Sequence, residues 1–129
     1  MTDDGTTVRL DLAATTDDIA IARSVTAAMA ARADLTIDQL EDARLAVDEA
    51  ASQLVADSPS GGRLTIEFTA RTGHLEVTVS APSASGTEPS HDTFSWTVLS
   101  ALTSGLAASV SGGISRMHWH IDRHAPVGA

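Results

Sequence analysis

The chain contains no cysteine, no lysine, no asparagine and no tyrosine, and its aromatic residues are two tryptophans and two phenylalanines. Without cysteine there is no disulfide framework, no thiol nucleophile and no thiolate metal site. Without lysine, a P-loop and a Schiff-base mechanism are both excluded. All eight basic residues are arginines, and with 17 acidic residues the formal net charge is -9. That balance argues against direct nucleic-acid binding, because affinity for phosphate backbones comes largely from clustered Lys and Arg. No apolar run is long enough to span a bilayer, and the opening residues MTDDGTT are acidic where a signal peptide would be basic. The expectation is a cytoplasmic protein with no membrane attachment.

What is present fits one domain over 1–129: the length suits a single core, and a hydrophobic fraction of 43% is ordinary for a globular protein. Of the 17 acidic residues, 12 precede Ser58, so the first half of the chain carries most of the negative field. Such a field steers a basic or mixed-charge protein partner; the plainer alternative is a soluble acidic surface.

The strongest local signal runs from Leu35 to Asp57. Thr36 followed by Gln39 fits a capping box, with Leu35 as a hydrophobic staple and Asp38, Glu41 and Asp42 near the positive end of the helix dipole. Apolar residues recur at Ile37, Leu40, Ala43, Val47, Ala50 and Leu54, and Ser58-Pro59-Ser60-Gly61-Gly62 stops the run, predicting a helix from about Ile37 to Ala56. Asp42, Ala46, Glu49 and Gln53 fall roughly opposite that stripe, with Glu49 and Gln53 stacked one turn apart. Arg44 and Asp48 are spaced for an i,i+4 pair.

Around this helix the patterns are simpler. Thr7 to Leu12 alternates as a strand; a helix capped by Thr15 or Thr16 runs to about Arg32 with Ile19, Ala22, Val25 and Met29 inward and Arg23 and Arg32 exposed. Residues 63–70 and 75–81 alternate as a hairpin across Arg71-Thr72-Gly73-His74. The polar segment 82–92, with two prolines, reads as a long loop, and Asp92 or Thr93 caps a third helix from Phe94 to about Ser104 that displays Phe94, Val98, Leu99, Ala101 and Leu102. Two strands around Gly112-Gly113 complete the chain, and the tail from Arg123 is expected to fray. His118, His120 and His124 have a spacing that zinc accepts if Asp122 or His91 joins them, but a polar outward strand face is the favoured reading, so no metal is assigned. Trp96 and Trp119 suit core or interface anchoring. Trp96, near the exposed loop, is the first candidate for a partner contact, with Arg23, Arg32 and Asp42 as further candidates. The element order predicts an α+β two-layer sandwich, with three helices on one face of a mixed sheet of about five strands.

Two patches, Arg44-Leu45-Ala46-Val47-Asp48-Glu49 continuing through Gln53, and Phe94-Ser95-Trp96-Thr97-Val98-Leu99-Ser100-Ala101-Leu102, together with the element order, resemble the anti-sigma-factor serine/threonine kinases of the Bergerat-fold (GHKL) ATPase superfamily, in their actinobacterial form. The resemblance covers nearly the whole chain. It implies the Bergerat fold and a homodimer acting in transcription regulation and stress response. The implied partners are an RNA polymerase sigma subunit, which it sequesters, and an anti-anti-sigma (STAS-domain) protein, which releases it by competition. It also implies a site for ATP and magnesium, built in that family from an E-x-x-x-N box, a D-x-G-x-G box and a glycine-rich lid. Glu49 matches the catalytic glutamate. Gln53 occupies the position of the magnesium-holding asparagine, with its amide oxygen one methylene further out, a poor fit to the tight octahedral geometry of that ion. Between Leu75 and Ser90 there is no aspartate to read adenine; Gly86 is the glycine nearest the second box, and Pro82 interrupts the stretch. Phosphoryl transfer depends on positioning and charge neutralisation, so these departures predict weak or absent kinase activity. An active kinase with a rebuilt pocket, phosphorylating its antagonist, and a non-catalytic Bergerat-like scaffold that binds another ligand are the alternatives.

Overall fold

The computed structural model describes residues 5–124. In chain order the elements are β1 (Thr6–Ala13), α1 (Thr16–Arg32), α2 (Ile37–Ala56), β2 (Arg63–Arg71), β3 (His74–Pro82), α3 (Phe94–Leu102), β4 (Ser104–Ser111) and β5 (Ile114–Asp122). The five strands form one sheet in the order β1-β2-β3-β5-β4. Every neighbouring pair is antiparallel, which corrects the expectation of a mixed sheet. The reason is topological. Two helices separate β1 from β2, so the chain reverses and returns antiparallel. The β3–α3–β4 crossover would bring two parallel strands together, but β5 inserts between them.

Strand alternation sends Leu64, Ile66, Phe68, Leu75, Val77, Val79, Met117 and Trp119 to one face, all fully buried, and the helices cover that face. The other face is polar, as a half-solvated antiparallel sheet allows. On it Arg9 pairs with Glu67 at 3.2 Å and Arg63 with Asp11 at 3.0 Å, each across neighbouring strands.

The alanine content of α2 lets it approach the sheet closely. Ala43, Ala46, Val47, Ala50 and Ala51 have no exposed surface, whereas Ile37, placed on the inward stripe by periodicity, is 81% exposed. From Leu40 to Leu54 the inward stripe is as expected, but the buried arc is wider than that stripe because α2 packs on α1 along one flank and on α3 along the other. Ala46 is thereby buried rather than outward-facing. The ion pairs shift for the same reason: Asp48 accepts from Arg23 of α1 at 2.6 Å and Arg44 turns to Glu41 at 3.2 Å, so the expected Arg44–Asp48 pair does not form.

Both sides of the turn between α1 and α2 are locked. The α2 capping box forms as expected, with Gln39 N donating to Thr36 Oγ1 at 3.1 Å. At the end of α1, Leu35 N donates to Ala30 O and Asp34 N to Ala31 O, a Schellman arrangement that places Asp34 at φ 60°. Asp34 in turn accepts from Arg123 Nη1 at 2.5 Å, and Arg123 N donates to Gly73 O at 2.8 Å. Arg123 and His124 are therefore anchored, against the expectation of a tail frayed from 123; residues 125–129 of that tail lie outside the described residues. No helix among the described residues is long and apolar enough to cross a membrane.

Candidate functional site between the central helix and the 83–93 loop

The α2 flank that carries Asp42, Ala46, Glu49 and Gln53 is turned toward α3, and a cavity opens at each end of the contact. One, of about 330 Å³, is lined by Gln53, Leu54 and Asp57 of α2 and its cap, by Ser85, Thr87, Glu88, Pro89, Ser90 and Thr93 of the loop, and by Ser115. The other, of about 270 Å³, lies by Gln39 and Asp42 and is closed by the end of α3 and by Asp122, Arg123 and His124.

The first cavity lies between the end of α2 and the loop that follows β3. Gln53 lines it and Glu49, one turn earlier, does not. Gln53 Oε1 accepts from Ser95 Oγ at 3.1 Å, which ties the helix to the first turn of α3. Glu49 is half-buried and its side chain, among the described residues, makes no hydrogen bond or ion pair. Gly86 takes φ 70° in open space, and its N–H donates to Ser83 Oγ at 3.0 Å, so that backbone donor is used inside the loop.

Asp57, the C-cap of α2, is the residue that organises this end, and sequence reasoning missed it. Its carboxylate accepts from Ser83 Oγ at 2.5 Å, from Ser85 Oγ at 3.0 Å and from Ser85 N at 3.1 Å, while its carbonyl accepts from Ala84 N at 2.7 Å. The hydrogen bond from Ser83, then that from Ser85, hold the carboxyl below its ordinary value of 3.8. The loop that follows β3 is thus fastened to the end of α2. The one available signal was an uncompensated acid at the negative end of a helix, facing a Ser-x-Ser segment 26 residues further on.

Further along, Thr93 caps α3 through Oγ1, which accepts from Trp96 N at 3.1 Å. Trp96 is half-buried and its ring stacks on His91, with centroids 3.9 Å apart and planes 11° apart. Of the apolar residues that α3 displays, Phe94 is 81% exposed and Leu99 is the one fully buried. Trp119 lies wholly in the core. Of the remaining candidates, Arg23 is engaged by Asp48, Arg32 is exposed with Nε 3.3 Å from Thr6 Oγ1, and Asp42 belongs to the second cavity. The structure therefore brings Gln53 and the loop together and leaves Arg23, Arg32 and Asp42 elsewhere on the helix layer.

A magnesium triphosphate does not fit these residues. The amide oxygen that would ligate the ion already accepts from Ser95, the ionisable lining groups are Asp57 and Glu88, and no arginine lines the cavity. An anion entering here meets two carboxylates in place of compensating charge. Among the described residues no group of three or more His, Asp or Glu side chains is arranged to hold a metal ion, and His118 instead lies 2.8 Å from Thr78 Oγ1.

An acidic α+β domain with a helix layer, a half-open antiparallel sheet and a loop-closed cavity at the end of its central helix is the class that fold and site define. The chain is similar to Anti-sigma-F factor RsbW of Mycobacterium tuberculosis, with 32% identity over 95 residues to the protein of strain CDC 1551 / Oshkosh and the same to that of strain ATCC 25618 / H37Rv. The aligned region is 74% of this chain and 56% of each relative, so the chain spans about half the length of the curated relatives it matches. No protein-family model matches the chain. The similarity supports a relationship to RsbW-like anti-sigma factors.

Proposed function

We propose that this chain is an anti-sigma factor that binds and sequesters an RNA polymerase sigma subunit and is relieved when an anti-anti-sigma (STAS-domain) protein competes for it. The observation that carries this reading is the similarity to Anti-sigma-F factor RsbW over 95 residues. The charge layout supports it. Residues 16–57, which form the helix layer, hold nine acidic residues against three arginines, while the outer sheet face balances Arg9, Arg63, Arg71 and Arg116 against Asp11, Glu67, Glu76 and Asp122. A basic or mixed-charge partner is drawn to the helix layer, where Arg23, Arg32, Asp42 and Trp96 are the proposed contacts and Ile21 and Leu45 present 50% and 54% of their surface.

Release by competition needs only overlapping binding surfaces and a difference in affinity. The protein works in the cytoplasm as a homodimer and requires no ATP or magnesium, in keeping with the engaged Gln53 oxygen and the carboxylate-lined cavity. The test is size-exclusion chromatography of the purified chain with a sigma subunit, followed by addition of a STAS-domain antagonist. A complex that the antagonist dissolves is the expected result; no complex with any sigma subunit of the source cell overturns the reading and leaves a non-catalytic scaffold for another ligand.

One observation favours a second reading, an active serine kinase: the Glu49 side chain is unpaired among the described residues and one turn from Gln53, the relation that the E-x-x-x-N box requires. Transfer of labelled phosphate from ATP to the antagonist, lost in Glu49→Ala, would establish it in place of the nucleotide-independent mechanism.

A further inference from the structure

Among the described residues three polar ones are buried, and two of them are satisfied: Thr26 Oγ1 donates to Ala22 O at 2.7 Å, and Gln39 is bonded through both its amide oxygen and its amide nitrogen. The third, Ser115, is 2% exposed, and its hydroxyl makes no hydrogen bond among the described residues. A buried polar group without a partner destabilises a fold, so its presence calls for an explanation. Alternation along β5 turns Ser115 to the helix side with Met117 and Trp119, and there it lines the cavity of about 330 Å³ at the end of α2. The other unpartnered buried atoms, Arg44 Nε, Ser58 Oγ and Trp119 Nε1, belong to residues that do not line it.

The rest of the lining has one chemical character. Asp57 and Glu88 supply two carboxylates, Leu54 and Pro89 supply apolar wall, and five hydroxyls including that of Ser115 lie between them. The only side-chain nitrogen is Gln53 Nε2, which is neutral. Asp57 is held ionised by the hydrogen bonds from Ser83 and Ser85, yet no cation pairs with it among the described residues. Glu88 has only His91 Nε2, at 3.7 Å. An anion is repelled from such a set, whereas a cation that brings several donors completes it. A guanidinium group carries five N–H donors and no acceptor, and its flat, weakly hydrated faces pack on apolar walls. An ammonium is more compact and more strongly hydrated, so it gives up more on leaving water.

We propose that this cavity is a guanidinium site, in which Asp57 and Glu88 supply the countercharge and Ser115 Oγ accepts an N–H at the floor. The arginine side chain of a protein partner and a small free guanidinium compound carry the same group. The site stands without the sigma-binding reading; only its assignment to an arginine of the sigma subunit rests on that reading. Charge-assisted hydrogen bonds of this kind are about twice as strong as neutral ones, so the site discriminates by charge as well as by shape.

The test is an amide NMR titration of the full chain with N-acetyl-arginine amide and, at matched ionic strength, with N-acetyl-citrulline amide, whose neutral urea keeps the shape of the guanidinium. The expected result is saturable shifts at Ser115, Gln53 and Asp57 with the arginine probe, and binding at least about tenfold weaker with the citrulline probe. Ser115→Ala removes a hydroxyl that bonds nothing within the described fold, and Glu88→Gln removes a charge from the exposed loop; neither touches the bonds that hold the loop to Asp57. Ser115→Ala should weaken the arginine probe about tenfold and Glu88→Gln about threefold. No saturable shift at the lining residues, equal binding of the two probes, or full affinity in Ser115→Ala overturns the site. A second titration, of a sigma subunit in saturating arginine probe, distinguishes the sources. Sigma affinity that falls more than about tenfold assigns the site to a sigma arginine, and unchanged affinity assigns it to a small free compound. No sigma complex at all overturns the sigma reading and that assignment with it, while the first titration still decides the site.

Discussion

The two ends of α2 each carry a glutamine beside a cavity, and the two glutamines do different work. Gln39 is 2% exposed and every polar atom of its side chain is used: Oε1 accepts from Thr36 N and from His124 N, each at 3.3 Å, and Nε2 donates to Asp122 O at 2.6 Å. It fastens the start of α2 to the end of β5. Gln53 is half-buried, its side chain accepts one hydrogen bond, from Ser95, and it borders the larger of these two cavities; the fastening at that end is done by Asp57 and two serines. The difference separates a residue whose identity the fold requires from one whose identity the fold tolerates. Gln53 stands at a position of chemical consequence in the family it resembles, and here its bond is one that several polar residues can make.

That contrast sets an order of effects. The largest is expected for Gln39→Leu, which removes half of the capping box and leaves the carbonyl of Asp122 and the amide of His124 without their partner. It should lower stability by about 2–4 kcal/mol, read as a shift in the urea midpoint. If Gln53→Leu matched that loss, the distinction between the two ends would fail; the expected cost there is less than about 1 kcal/mol, since a half-exposed hydrogen bond is exchanged for water.

Asp57→Asn sharpens the same comparison at the loop. Amide hydrogen exchange should accelerate at Ser85 and Gly86 and remain unchanged at Gln39. The pH dependence has a definite sign. Because the folded-state pKa of Asp57 lies below 3.8, its stabilisation is complete above that value and is lost as pH falls through the lower folded value. Asp57→Asn should flatten that part of the acid limb, whereas Gln39→Leu should leave its shape intact. A stability effect as small as that of Gln53→Leu belongs to Arg23→Ala. Its 2.6 Å pair with Asp48 is more than a third exposed, so stability should change by no more than about 1 kcal/mol, while sigma binding weakens if the helix layer is the contact surface.

The boundaries of α2 were legible because capping is local. Thr36 and Gln39 are three residues apart, and Ser58-Pro59 follows at once. The strand alternation of residues 63–81 was legible for the same reason. What could not be read depends on partners distant in sequence. Asp57 acquires its role from Ser83 and Ser85, Asp48 is taken from Arg44 by Arg23, and Ile37 is exposed because α1 and α3 fix the rotation of α2. Sheet direction was misjudged because strand patterns carry no information on which strand inserts between which. At the site itself, Gln53 and Pro82 were visible in the sequence; that Ser95 bonds Gln53 and that Asp57 holds Ser83 was visible only in three dimensions.

The claim at the centre of this account is that partner binding proceeds without nucleotide. Calorimetric titration of a sigma subunit into the purified chain, with and without ATP and magnesium, tests it most directly. The account predicts equal affinity for the sigma subunit in both conditions and no heat on titrating ATP alone; sigma binding that appears only with magnesium and ATP, or strengthens more than about tenfold with them, would contradict it.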